Sequence, residues 1–284
     1  MPEDDAATAS ATAADRRSLT QVDGLSIRLA RRGSAHDAVD LPIVVLHGWG
    51  AHLEAIEPIV APLAAETEVL ALDLPGFGES EEPPGPWSSE DYAHFVAAVL
   101  EDAGISRCHL IGHSRGGAIA ICLAVQRPEL VGRLILCDAA GLRPKRGPRY
   151  RGRVALAKLG RLLGLLGPPG RRLQARIRGR VASSDYLNAS PAMRETFRRV
   201  IAEDLAGHLP RISAPALLVW GSADEDTPLW MGERMAELLP DGALVVFEGA
   251  GHFAYADQPA RFAQLSRHFL CEQPREVRAR SGAR

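Results

Sequence analysis

Residues 108–117 read Cys-His-Leu-Ile-Gly-His-Ser-Arg-Gly-Gly, an apolar strand that leads through a glycine-flanked serine into a helix rich in Ala and Ile. The pattern Gly-x-Ser-x-Gly predicts a sharp strand-to-helix turn from which the hydroxyl of Ser114 projects into a cleft. Gly112 and Gly116 are required because a Cβ at either position would collide where strand and helix approach each other. The helix N-terminus behind the serine favours negative charge. Ser114 is therefore the candidate nucleophile.

Apolar runs of strand length recur along the chain and alternate with helical patterns. The runs lie at residues 43–47, 68–73, 108–112, 134–138, 216–221 and 244–248, and the helical patterns at 89–103, 116–126, 231–239 and 259–270. These runs lack polar/apolar alternation, which is typical of strands covered on both faces of a parallel sheet. The order predicts an α/β fold with a mostly parallel, doubly wound sheet. Residues 25–32 do alternate, which predicts an antiparallel edge strand.

An acid and a histidine follow the last two predicted strands. Asp224 lies in the turn after the run at 216–221, and His252 follows the run at 244–248. The carboxyl ends of parallel strands meet at one sheet edge, so Asp224 can orient His252 and His252 can take the proton of Ser114. Asp138, at the end of another predicted strand, is a competing acid. Activity should then fall as the pH drops through the pKa of His252, about 6–7, because only neutral imidazole acts as a base.

Five segments together resemble the α/β-hydrolase superfamily. They are His47-Gly48-Trp49-Gly50, Asp73-Leu74-Pro75-Gly76-Phe77-Gly78-Glu79-Ser80, the turn around Ser114, the Asp224 turn and Gly251-His252-Phe253. The resemblance covers about Val22 to Leu270 and is closest to lidded esterases and meta-cleavage-product hydrolases. It implies an α/β-hydrolase fold with a helical cap, and an oxyanion hole made of the backbone N–H groups of Trp49 and Arg115. His47 itself is more typical of a core histidine.

The domain plan follows from where the strand pattern stops. We expect disordered tails at 1–18 and 272–284, a hydrolase core at 19–140 and 208–271, and a helical cap or lid at 141–207 inserted after a core strand. From residue 139 to residue 184 the chain has thirteen Arg or Lys and no Asp or Glu. This favours a cap helix with solvated arginines over a segment that contacts an anionic membrane surface or attracts a negatively charged substrate to the mouth of the site.

Composition narrows the functional classes. The formal net charge is −2, and no aromatic stacking platform or known nucleic-acid module accompanies the basic run, so nucleic-acid binding is not expected. The four cysteines form no Cys-x-x-Cys pair, and the chain opens on polar residues rather than on a signal peptide, which together predict a cytoplasmic protein. The remaining histidines show no metal-ligand spacing, so no cofactor or metal is expected.

The predicted reaction is hydrolysis of a small or medium carboxylic ester through an acyl-enzyme. A serine nucleophile attacks acyl carbon, whereas dehalogenases and epoxide hydrolases of this superfamily carry aspartate at the position of Ser114. Two alternatives remain open. One is carbon–carbon bond hydrolysis or perhydrolysis at the same three residues. The other is a receptor or scaffold that keeps the pocket for binding a ligand. The sequence does not indicate the oligomeric state.

Overall fold

A computed structural model describes residues 16–33, 40–143 and 189–271. Both predicted tails, apart from residues 16–18, lie outside the described residues. So does the part of the predicted cap from 144 to 188, which contains every member of the basic run except Arg143. Among the residues that the structure describes, no helix is both long enough and apolar enough to cross a membrane.

The described residues form an eight-stranded sheet with the order β1-β2-β4-β3-β5-β6-β7-β8. The strands are β1 (Arg16–Val22), β2 (Leu25–Arg32), β3 (Ile43–Leu46), β4 (Val69–Leu72), β5 (Cys108–His113), β6 (Val131–Cys137), β7 (Ala216–Gly221) and β8 (Gly242–Phe247). The pairs β4–β3, β3–β5, β5–β6, β6–β7 and β7–β8 are parallel, whereas β1–β2 and β2–β4 are antiparallel. The predicted mostly parallel α/β fold is confirmed.

Helices cover both faces of this sheet. They are α1 (Glu57–Ala64), α2 (Ser89–Asp102), α3 (Arg115–Gln126), α4 (Pro191–Ala202), α5 (Trp230–Leu238), α6 (Ala254–Asp257) and α7 (Pro259–Cys271). Helix α2 begins at a capping box in which Ser88 and Asp91 exchange side-chain-to-backbone hydrogen bonds. Such a box satisfies N–H groups that have no partner inside the helix.

The core consists of two layers, one on each face of the sheet. Alternate residues of β3 divide between them: Val44 and Leu46 pack with α2, α3 and α5, whereas Ile43 and Val45 pack with α1, α6 and α7. All four side chains are buried. This two-sided burial explains why the central strands lack polar/apolar alternation in the sequence.

Two details of the N-terminal region differ from the prediction. The tail was expected to reach residue 18, but β1 begins at Arg16 because its antiparallel pairing with β2 extends to Arg16 and Arg31. The strand predicted at residues 25–32 is antiparallel, as expected, but it is not the edge strand, since β1 pairs with its outer side.

Candidate active site

The turn between β5 and α3 has the geometry that its sequence predicts. Ser114 has φ 51° and ψ −116°, a conformation that a residue with a side chain rarely adopts. A Cβ on Gly112 would lie 2.5 Å from the carbonyl oxygen of Gly116, and a Cβ on Gly116 would overlap the carbonyl of Leu46. Glycine is therefore required at both positions, and the strained backbone directs the serine side chain away from the sheet.

The structure brings the three predicted side chains into one hydrogen-bonded line. Nε2 of His252 lies 2.9 Å from Oγ of Ser114, and Nδ1 of His252 lies 2.9 Å from Oδ2 of Asp224. Asp224 follows β7 and His252 follows β8, so both reach the sheet edge where Ser114 leaves β5. With its proton on Nδ1, the imidazole can accept the serine proton at Nε2.

Asp224 is held in place by its own turn. Its Oδ1 accepts hydrogen bonds from the backbone N–H groups of Asp226 (2.8 Å) and Thr227 (3.0 Å), and its Oδ2 accepts from the hydroxyl of Thr227 (2.7 Å). Burial raises the pKa of Asp224, but the hydrogen bonds from His252 and Thr227 outweigh burial and lower it below its usual value. Asp224 is therefore ionised and fixed in orientation. The sequence offered no signal for the contribution of Thr227.

The charge of Asp224 acts on the histidine in the opposite sense. Burial lowers the pKa of His252, but its hydrogen bond to Asp224 and the attraction of that carboxylate raise it above its ordinary value.

His113, next to the nucleophile, is buried and donates from Nε2 to the carbonyl of His252 over 2.8 Å. Burial lowers the pKa of His113 to about 3, so it stays neutral and supports the loop that carries His252.

Asp138, the competing acid, has a different set of partners. Its carboxylate accepts hydrogen bonds from the backbone N–H of Gly221 (2.8 Å) and of Ala254 (3.0 Å). Its carbonyl oxygen lies 2.9 Å from the hydroxyl oxygen of Thr227, whose single proton it shares with Asp224. Burial raises the pKa of Asp138 to about 6. Asp138 thus ties the turn that holds Asp224 to the loop that holds His252, while Asp224 is the acid bonded to the imidazole.

Trp49 and Arg115, the two predicted oxyanion residues, line the same cavity as Ser114. Arg115 is the first residue of α3, where backbone N–H groups have no acceptor within the helix. The side chain of Trp49 packs against Phe77, at a ring separation of 4.9 Å. His47 is buried and accepts a hydrogen bond from the backbone N–H of Leu74 (2.9 Å), in keeping with its prediction as a core histidine.

A cavity of about 530 Å³ opens beside Ser114 and His252. Its apolar lining comes from Trp49, Ala118, Ala140, Leu142, Phe197, Val200, Ile201, Met231 and Phe253. Three of these residues belong to α4, the described end of the segment predicted to form the cap. Helix α4 is fastened to the core where the N–H of Trp87 donates to the hydroxyl of Thr196 (3.0 Å) and both polar groups of Ser89 donate to Glu203. A cavity of this volume accommodates a small or medium organic molecule.

The described residues contain one group with the spacing of metal ligands. Asp224, Asp226 and His252 each offer one atom within 4.8 Å of the others. The hydrogen bond between His252 and Asp224 already accounts for the approach of two of these side chains. Asp226 joins the group because it lies in the same turn as Asp224, to which its backbone N–H donates.

Comparison with known proteins identifies the fold and the family. The sequence profile of the alpha/beta hydrolase fold matches residues 42–259. A 2-hydroxy-6-oxononadienedioate/2-hydroxy-6-oxononatrienedioate hydrolase from a Pseudomonas species is 30% identical over 78% of this chain and 83% of its own length. A pimeloyl-[acyl-carrier protein] methyl ester esterase from Neisseria meningitidis serogroup A is 30% identical over 86% of this chain and 80% of its own length.

Solved structures extend the likeness. The crystal structure of a bacterial membrane phospholipase A superposes with a TM-score of 0.71 and 30% identity, covering 90% of this chain and 86% of the other. The profile match spans most of the chain, and the sheet order and the turn at Ser114 fit it. This chain belongs to the α/β-hydrolase family.

Proposed function

We propose that this protein is a serine hydrolase that cleaves carboxylic esters of small or medium acyl groups. The observation that carries the proposal is the hydrogen-bonded line from Ser114 through His252 to Asp224, with 2.9 Å at each step. The line ends at a cavity lined by apolar side chains and by the charged residues Arg115, Glu203 and Asp226. The relative from Neisseria named as a methyl ester esterase supports the choice of ester chemistry.

The proposed reaction has two halves. His252 removes the proton of Ser114 as its oxygen attacks the acyl carbon, and the backbone N–H groups of Trp49 and Arg115 bind the oxyanion that forms. His252 then gives this proton to the departing alcohol, which leaves an acyl group on Ser114. A water molecule, deprotonated by His252, attacks that acyl group. The free acid leaves and Ser114 recovers its proton.

Removal of the serine hydroxyl tests this proposal. We expect Ser114→Ala to lose nearly all turnover of 4-nitrophenyl acetate and butyrate, because it has no nucleophile. The catalysis that remains, from the oxyanion hole and substrate binding, is typically about 10³–10⁴-fold above the rate in water. The matched control is Ser106→Ala, at an exposed serine away from the cavity, which should keep wild-type kcat/KM. Full activity of Ser114→Ala would refute the mechanism.

Carbon–carbon hydrolysis is the second candidate, favoured by the 30% identity to the Pseudomonas hydrolase. The same three residues would serve it. A panel that compares 4-nitrophenyl esters, meta-cleavage products and perhydrolysis with hydrogen peroxide separates these reactions by kcat/KM. If the purified protein turned over none of these substrates, the remaining interpretation would be a receptor that retains the cavity.

A further inference from the structure

Arg115 is a buried cation whose hydrogen-bonding capacity is largely unused. Its side chain lies beside the nucleophile and the residue is only 4% exposed. Among the described residues, neither Nε nor Nη2 has a hydrogen-bond partner, and Nη1 donates to Ser89 Oγ over a long 3.5 Å. Arginine keeps its proton in proteins, so a full positive charge is held here.

Two aromatic rings lie next to the guanidinium of Arg115. The guanidinium carbon lies 4.5 Å from the ring centre of Tyr92 and 5.7 Å from that of Trp49. Ring faces attract a cation, but they do not replace acceptors for N–H groups. The buried guanidinium therefore has its charge partly stabilised, while Nε and Nη2 have no acceptor.

Glu203, which also lines the cavity, is the carboxylate whose negative charge stabilises the Arg115 guanidinium. Both of its oxygens already accept hydrogen bonds from Ser89. Its Oε1 accepts from the backbone N–H of Ser89 over 2.8 Å, and its Oε2 accepts from the hydroxyl of the same residue. Ser89 thus stands between Glu203 and Arg115. The planar fork of the guanidinium matches a carboxylate in two parallel hydrogen bonds, and Glu203 does not occupy that fork.

Arg115 also lines the substrate cavity, together with Ser114, Trp49, His252 and two acids, Glu203 and Asp226. In the proposed reaction its backbone N–H binds the oxyanion, so its side chain lies within one arginine length of the reacting carbonyl. An acceptor that reaches the guanidinium from the cavity would therefore belong to the same small molecule as the ester.

We propose that the substrate carries a carboxylate close to the scissile ester, as in a half-ester of a short dicarboxylic acid, and that the Arg115 guanidinium binds this carboxylate. This inference rests on the proposed ester hydrolysis and names the class of its substrate. The apolar lining of the cavity then holds the chain between the two carbonyl groups, or the alcohol part.

A pair of matched esters tests the inference. One is the 4-nitrophenyl half-ester of glutaric acid, which is anionic at neutral pH, and the other is its methyl ester, which is neutral. We expect wild-type kcat/KM to favour the anion by about 10-fold or more, and Arg115→Met to reduce this ratio by about 10- to 100-fold. Arg115→Met keeps the backbone N–H and approximates the length of the side chain. Arg133→Met, at a half-buried arginine that donates to the carbonyl of Phe269 outside the cavity, should leave the ratio unchanged.

A binding measurement makes the result independent of turnover and of the fold of one variant. Titration calorimetry with free glutarate should show binding to Ser114→Ala. Binding should be weaker in the double variant Ser114→Ala/Arg115→Lys and absent in Ser114→Ala/Arg115→Met. An equal ratio for the two esters in wild type and Arg115→Met, or equal glutarate binding with and without the guanidinium, would overturn the inference while ester hydrolysis stood. Glutarate binding without turnover of any ester would support the anion site and contradict the proposed reaction.

Discussion

Replacing Asp224 with asparagine tests how the acid orients the histidine. In the structure, Oδ1 of Asp224 accepts from two backbone N–H groups, whereas Oδ2 faces Nδ1 of His252 at 2.9 Å. Asparagine has the same shape, so its carbonyl keeps the backbone hydrogen bonds and its NH₂ group faces the imidazole. An NH₂ donates, so Nδ1 must accept and the imidazole proton moves to Nε2, opposite Ser114.

The wrong tautomer has a large expected cost. With a proton on Nε2, His252 no longer accepts the proton of Ser114, and loss of tautomer control of this kind lowers kcat by about 10⁴-fold. We expect a fall in kcat of about 10³–10⁴-fold for 4-nitrophenyl butyrate, which is about 4–5 kcal/mol at about 1.36 kcal/mol for each tenfold change. KM and the melting temperature should change little, because the turn retains its backbone hydrogen bonds.

Two other acids provide matched controls. Asp226→Asn alters the neighbour in the same turn, whose side chain forms none of the bonds that orient the imidazole, and it should keep most of the wild-type kcat. Asp138→Asn leaves one of two backbone N–H groups unsatisfied, so it should lower stability by about 1–3 kcal/mol and lower kcat less than Asp224→Asn does. Asp224 would not be the orienting acid if Asp224→Asn kept more than a tenth of the wild-type kcat, or if Asp138→Asn lost more activity than Asp224→Asn.

The contacts of Asp224, Gly116 and Thr227 predict the effects of pH and of two substitutions. Because Asp224 raises the pKa of His252 and only the neutral imidazole is a base, kcat/KM should fall as the pH drops through a pKa above 6.5; a midpoint below 6 in a pH–rate profile would contradict this. Gly116→Ala should cost about 3 kcal/mol or more in thermal unfolding, or prevent folding, since its Cβ would overlap the carbonyl of Leu46; Gly85→Ala, with no atom within 4 Å, is the control and should be neutral. Thr227→Val keeps the shape but removes a hydroxyl bonded to Asp224, so urea unfolding should show a loss of about 1–3 kcal/mol and kcat should fall; an unchanged kcat would mean that Thr227 does not position the acid.

The central sheet could be predicted from the sequence because its strands are buried on both faces. The runs at β3 and β4 are wholly apolar, so burial is visible in the residue types themselves. Strand β1 was missed for the opposite reason. It begins Arg-Arg-Ser and pairs on one side, at the edge of the sheet, and the side chains of Arg17 to Leu19 are exposed. Edge strands of this kind carry no hydrophobic signal.

The candidate site divides along a similar line. Ser114, Asp224 and His252 could be named because each follows a strand in a recognisable turn, and parallel strands end at one edge. The bonds of Asp138 to Gly221 and Ala254 span residues far apart in the chain, and no local pattern announces them. The burial of Arg115 was equally hidden, since it depends on Tyr92 from α2 packing over a charged side chain.

The most direct test of the account is the rate and position of labelling by a fluorophosphonate, measured by intact mass and peptide mapping. We predict one phosphonyl group on Ser114, formed rapidly in wild type and far more slowly in His252→Ala. The control His94→Ala replaces an exposed histidine and should be labelled as rapidly as wild type. Label on another residue, sluggish labelling of wild type, or equal rates with and without the imidazole of His252 would show that Ser114 is not an activated nucleophile.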